Sequence, residues 1–270
     1  MRELCEKAIV SLVLIGTLYP IAGCAQKQET VKSLTSAEAA VAPASEAILS
    51  PEWVVRLPQA RSARQLIVVA ALAQTTATIS VHEKAEDGQW HEVLATPGFI
   101  GKNGLGKTKE GDGKTPVGAF VIDKAFGIAP DPGCHMPYLQ VDENIYWSGD
   151  ERKGMRYNEL VDIRNYPGLN AKASERIVDY QEPYQYVLNM GYNPECAAGR
   201  GSALFLHCFG RYNPYTGGCV AIPEAQMRKV MQWIRPGCVI VINTQKQLKG
   251  ERQKHLFLFI LSKKEKQGRE

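Results

Sequence analysis

Seven short runs of β-branched and other apolar residues, each cut off by glycine, proline or polar turn residues, leave the middle of this chain few options besides sheet. They occupy residues 65–73 (QLIVVAALA), 75–84 (TTATISVHEK), 90–96 (WHEVLAT), 115–122 (TPVGAFVI), 184–190 (YQYVLNM), 203–209 (ALFLHCF) and 238–244 (CVIVINT). Runs of this length and composition, bounded by turn formers, read as strands. The fourth is entered through Pro116, where a missing N–H does least harm to a ladder. One amphipathic helix stands among them, over residues 223–234. Proline opens its first turn, Met227, Val230, Met231 and Ile234 repeat at helical spacing, and Pro236-Gly237 stops it. Many strands with few helices predict a mainly β domain, a sandwich or barrel carrying a few helices.

The ends of the chain do not continue this pattern. Residues 8–18 form an apolar run too short to span a bilayer but suited to the core of a signal peptide. Ile21-Ala22-Gly23-Cys24 follows, and small residues just before a cysteine resemble the lipobox of bacterial lipoproteins. That resemblance implies a signal peptide over residues 1–23 and acylation of Cys24, which becomes the membrane anchor. Glu3 and Glu6 offset Arg2 and Lys7, so an ordinary secretory signal or a plain membrane anchor stays open. Each version puts the rest of the chain outside the cytoplasm. Residues 24–52 hold no aromatic and little apolar periodicity, and are expected to act as a flexible tether. Residues 53–243 leave about 190 positions, enough for one domain with a sizeable core. Residues 244–270 form a basic tail.

The formal charge of +4 is misleading, because the tail alone carries eight Lys/Arg against three acids. Residues 1–243 therefore sum to −1, which argues against a nucleic-acid-binding domain, whose basic stripe belongs on the fold. Residues 256–261 of the tail are apolar but too few to cross a membrane; an extra strand or a membrane-surface contact both fit. Residues 101–108, GKNGLGKT, match a phosphate-loop pattern letter for letter. That pattern binds nucleotide only where a helix starts at its Lys-Ser/Thr end. The following residues, KEGDGKTPVG, hold three glycines and a proline and cannot form that helix at acceptable cost, so no nucleotide is expected.

Seven cysteines are present, of which Cys5 would leave with the signal and Cys24 would carry lipid. The remaining five, Cys134, Cys196, Cys208, Cys219 and Cys238, are an odd number for an oxidising compartment, which suggests one thiol kept apart for chemistry. Cys134 and Cys196 both follow turn-like Asx-Pro sequences and are the expected disulfide pair. No C-x-x-C or H-x-x-x-H spacing appears, so no metal site is expected.

The segment from Gly201 to Val230 concentrates the chemistry. Strand alternation puts His207 on one face with Phe205 and Phe209, and Cys208 on the other. A turn-rich loop then leads to Thr216-Gly217-Gly218-Cys219. A thiol attacks as thiolate, and a nearby imidazole can take its proton and hold an ion pair near neutral pH. The two glycines let backbone N–H groups of Gly218 and Cys219 approach a developing oxyanion. On residue types alone, a satisfied core histidine and an ordinary buried or disulfide-bonded cysteine are the commoner reading.

His207 followed by Thr216-x-Gly218-Cys219 resembles the motif of the L,D-transpeptidase catalytic domain, the YkuD domain, of bacterial cell-wall enzymes. The glycine-rich stretch ending in TPVGAF at residues 115–120 resembles that family's hairpin, and YWSGDERKGMRYN and EPYQYVLNMGYN resemble a lipoprotein branch of it. The likeness runs from Leu66 to Asn243 and makes GKNGLGKT part of a substrate-side hairpin, with lysines serving as surface charge. It implies a β-sandwich or barrel-like fold with Cys219 as nucleophile and His207 as base and then acid. The target is the carbonyl of the third residue in a peptidoglycan stem tetrapeptide. D-Ala leaves, and an amine of a neighbouring stem takes the acyl group in a 3→3 cross-link. No cofactor or metal is implied. Thr216 is placed at the catalytic pair, and Tyr146, Trp147, Tyr157 and Asn158 at a substrate lip; Tyr184, Tyr186 and Asn189 are read as strand packing. The commonest family motif has histidine where Gly217 stands here. Two other functions remain compatible with the residues: an L,D-carboxypeptidase with water as acceptor, and a non-catalytic wall-binding lipoprotein.

Overall fold

The computed structural model describes residues 48–211 and 213–250. In chain order the regular elements are α1 (Glu52–Val55), β1 (Gln65–Ala71), β2 (Thr76–Lys84), β3 (Trp90–Phe99), β4 (Gly118–Val121), β5 (Lys124–Gly127), β6 (Tyr138–Gln140), β7 (Ile145–Trp147), β8 (Leu160–Asp162), β9 (Glu175–Arg176), β10 (Val187–Asn189), β11 (Phe205–Cys208), β12 (Val220–Ile222), α2 (Glu224–Trp233), β13 (Val239–Thr244) and α3 (Gln245–Leu248). Ten strands join in one mixed sheet of order β4-β13-β1-β2-β3-β12-β11-β10-β5-β6, which curls into a half-barrel. The pairs β1–β13, β11–β12 and β5–β6 are parallel; the other neighbours run antiparallel.

Strand β1 shows why QLIVVAA, residues 65–71, has no alternation: all seven residues are buried. Ile67, Val69 and Ala71 face the main core, while Leu66 and Val68 face a second cluster closed by Val54, Leu57 and Trp90. A strand covered on both sides reads as a continuous apolar run. Helix α2 lays Met227, Val230 and Met231 into the main core with Ile234, as its spacing predicts.

A second sheet of three short strands, β8-β7-β9, was not legible in the sequence. Its anchor is Trp147, which packs on Phe126 and meets Phe205 edge to face at 4.8 Å. These rings form the floor of a third cluster that also contains Tyr184 and Cys219. The strands are two or three residues long, below the length at which period-2 patterning shows.

The described fold extends past both edges expected for the domain. Ser50 is buried and Leu49 bridges to His91, ahead of residue 53, and Thr244 caps α3, whose Leu248 packs on the second cluster. The expected signal peptide, Cys24, most of the tether and most of the basic tail lie outside the described residues. Cys134 and Cys196 are both free thiols, which overturns their expected disulfide. Cys134 packs against the main core, whereas Cys196 sits in its own turn against the Pro194 carbonyl, so each is held by different neighbours.

Candidate active site

Parallel pairing of β11 and β12 sets the geometry. Leu206 lies opposite Val220 and His207 opposite Ala221. Leu206, Cys208 and Val220 face the main core, and Phe205 and Cys219 belong to the cluster on the other side. His207 follows Phe205 by alternation, so Cys219 and His207 share a face, one strand over and two residues along. Cys208 lies on the far side, where its thiol reaches the Tyr186 carbonyl at 3.8 Å.

The turn before Cys219 is tied down by hydroxyls. Thr216 Oγ1 donates to the Cys219 carbonyl at 2.7 Å and accepts from the Gly218 N–H at 3.1 Å. Thr115 Oγ1 reaches the same carbonyl at 3.2 Å and accepts from the Gly101 N–H at 2.8 Å. Thr216 is itself laced to the neighbouring loop by its N–H to Ile100 and its carbonyl to Lys102. Gly218 has φ +149°, and a Cβ there would come within 2.9 Å of the Lys114 carbonyl, so the position needs glycine. With the Gly218 N–H taken by Thr216, the Cys219 N–H is left without a carbonyl partner among the described residues, and it lies toward its own sulfur.

Cys219 Sγ accepts from the Phe205 N–H at 3.3 Å and donates to the Ala203 carbonyl at 3.2 Å. His207 donates from Nδ1 to the Cys208 carbonyl at 2.7 Å, which fixes the neutral ring with its lone pair on Nε2. Nε2 makes no hydrogen bond among the described residues, to Cys219 or to any other group. Burial, reinforced by the Glu175 charge, pushes the Cys219 thiol up to about 12, against the pull of the Phe205 N–H and Lys107. Burial likewise draws His207 down to about 4. Burial thus opposes both halves of the ion pair expected from the sequence, the thiolate and the imidazolium.

Both side chains open onto a cavity of about 620 Å³. Its wall also holds Lys107, Glu110, Glu175 and Tyr184. Lys107 comes from GKNGLGKT and is buried, paired with Asp112 at 3.1 Å. Burial alone would raise Asp112, but the N–H groups of Thr108, Lys114 and Lys109, with Lys107, outweigh it and hold the carboxyl at about 2. No helix follows Thr108; the segment is a looped turn bridged at Leu105–Thr115 and Gly101–Thr216.

The family model of the L,D-transpeptidase catalytic domain (YkuD) matches residues 65–242. The chain belongs to this family. The match runs from β1 into β13 and so takes in every strand of the ten-stranded sheet. Among solved structures, the helical cell shape determining protein Pgp2 from Campylobacter jejuni aligns at 14% identity with a TM-score of 0.36, covering 67% of this chain and 48% of that one. The chain thus spans about half the length of that protein. No curated protein matches the chain at a comparable level.

Within this YkuD domain the residues expected at a substrate lip lie elsewhere. Trp147 is buried and donates from Nε1 to Asn158 Oδ1 at 3.0 Å. Asn158 holds φ +58° and also binds the Tyr192 and Asn193 carbonyls. Tyr157 is buried, its hydroxyl bonded to Glu110 at 2.5 Å, and Tyr146 is half-buried on β7. None of the four lines the cavity; Tyr157 reaches it only through its bond to Glu110, and Trp147 packs on Phe205 in the third cluster. An aromatic-rich loop reads the same in sequence whether it meets ligand or core. Tyr184 moves the other way. Read as strand packing, it lines the cavity, meets the His207 ring edge at 5.4 Å and donates to Glu175 at 2.7 Å. Tyr186 is core, and Asn189 bonds Asp123 at 2.6 Å. Glu175 and Glu110 had no sequence signal, since each is an ordinary loop or strand-end residue brought in by tertiary folding, whereas Thr115 opens the TPVGAF stretch that resembles the family's hairpin.

Proposed function

We propose that the chain is a peptidoglycan L,D-transpeptidase in which Cys219 attacks the carbonyl of the third residue of a stem tetrapeptide and His207 moves the proton. The observation that carries this reading is that the thiol and the free imidazole nitrogen open onto one cavity from adjacent parallel strands. Because burial opposes charge on both groups, attack and proton transfer proceed together. The thiol proton leaves the Ala203 carbonyl and passes to His207 Nε2 as sulfur bonds to carbon. The Cys219 N–H donates to the oxyanion, and Thr216 and Thr115 steady the turn that presents it. His207 then protonates the departing D-Ala amine, leaving an acyl-enzyme for an acceptor amine and a 3→3 cross-link. Cys24 anchors the domain in the membrane, facing the wall.

Incubating the purified chain with a stem tetrapeptide and following D-Ala by mass spectrometry tests the reading. Cys219→Ala and His207→Ala should each abolish release, and the double variant should lose no more than either. Wild-type turnover by Cys219→Ala would leave a wall-binding role instead. Alkylation of Cys219 should be slow at pH 6 in the free chain, since burial holds the thiol protonated.

A further inference from the structure

Glu175 opens β9 at the cavity wall, and no lysine or arginine among the described residues forms an ion pair with it. Among the described residues its one side-chain hydrogen bond is from the Tyr184 hydroxyl at 2.7 Å. Burial raises its carboxyl to about 7, against the Tyr184 hydrogen bond. Its charge opposes ionisation of Cys219, so it has the wrong sign to activate the nucleophile. The cavity's other charges do not compensate: Glu110 and Asp179 are also acidic, Lys107 is committed to Asp112, and Arg211 to Glu182 at 2.7 Å. A carboxylate in this position suits a cation that arrives with substrate.

We propose that Glu175, oriented by Tyr184, is the acceptor subsite: it binds the incoming primary ammonium and takes its first proton, directing the acyl group to an amine in preference to water. The inference rests on the acyl-enzyme reading above. Proton balance requires such a group. An ammonium must lose one proton before nitrogen can attack the thioester carbonyl, and a second after the C–N bond forms. The first goes to the Glu175 carboxylate. The second goes to His207 and from there to sulfur as the C–S bond breaks, restoring the resting thiol. The proton on Glu175 passes to solvent. Water as acceptor has only one proton to give, which His207 alone can take.

The test compares a stem tripeptide bearing a free side-chain amine with the same peptide acetylated on that amine. Binding is measured by calorimetry in the Cys219→Ala chain, so it reports on Glu175 even if the wild type releases no D-Ala and the enzyme reading fails. Glu175→Gln, which keeps an oxygen for the Tyr184 hydroxyl, should weaken the free-amine peptide by about 10-fold or more and bring the affinities of the two peptides together. Tyr184→Phe, which keeps the carboxylate but frees its orientation, should give a smaller loss. In the active chain, Glu175→Gln should shift products from amide to hydrolysed acid. That shift should shrink as pH rises toward the amine's own pKa of about 10, where free amine is supplied by solution. Unchanged discrimination between the peptides, or an unchanged ratio of amide to acid, would overturn the proposal.

Discussion

Two buried histidines sit in this domain, and they differ in how completely they are closed. His82, on β2, accepts or donates at both nitrogens, to Ser50 at 2.9 Å and to Ser80 at 2.8 Å. His207, which lines the cavity, bonds only through Nδ1 among the described residues. Burial lowers both to about 4, so the direction of the shift does not tell them apart. What separates the two imidazoles is the uncommitted nitrogen. The same holds for the thiols. Cys208 is sealed in the main core, while Cys219 sits at the edge of a cavity with its N–H unspent.

The sharpest way to break this contrast is to exchange the roles. His207→Ala and Cys219→Ala should each lower D-Ala release by about 10⁴-fold or more, whereas His82→Gln should retain release. If His82→Gln matched the loss of His207→Ala at a temperature where the chain is folded, the distinction would fail.

His82 should instead appear in stability. Its folded pKa lies below the ordinary 6.5, so the unfolded chain takes the proton first and stability is lost as pH falls from about 6.5 toward 4. The shift corresponds to a contribution on the order of 3 kcal/mol. His207 acts in the same window and direction, whereas Glu175, raised to about 7, adds stability as pH falls through that value. Subtracting the denaturation profile of His82→Gln from that of the wild type isolates the His82 part, which should flatten above pH 7.

A smaller effect is expected at the turn. Thr216→Val removes the hydroxyl that engages both the Cys219 carbonyl and the Gly218 N–H, and should cost about 1–3 kcal/mol in thermal or denaturant unfolding. Turnover should fall through kcat more than KM, because the turn positions the nucleophile. The smallest change belongs to Cys208→Ala, which should leave D-Ala release within about threefold and cost about 1 kcal/mol for the small cavity created.

Most of the large sheet was legible because β1, β2, β3, β11 and β13 are long or apolar enough to declare themselves, and α2 carries both its period and its stop. The separation of His207 from Cys208 was legible for a different reason: strand alternation fixes their faces whatever the rest of the fold does. The small sheet was not, because β7, β8 and β9 owe their existence to packing around Trp147 rather than to local propensity. Charge at the site was the least legible. Lys107 looks like a surface lysine in a glycine-rich loop, yet it is buried against Asp112 beneath Gly201, where a Cβ would strike its side chain. Glu175 becomes notable only when the chain around it is folded.

The bridge between Gly101 and Thr216 divides the connection from β11 to β12 into unequal parts. From Thr216 onward the backbone is pinned on two sides, so its length cannot change without carrying Cys219 off its face. Before Thr216, Gly210, Arg211, Asn213 and Tyr215 border the cavity without bonding, among the described residues, to the turn that holds Cys219. Insertions or deletions there would alter what the cavity admits while the reacting atoms stay where they are. The fold thereby offers an exchangeable cassette beside a fixed turn, through which the admitted ligand can change while the frame that holds Cys219 does not.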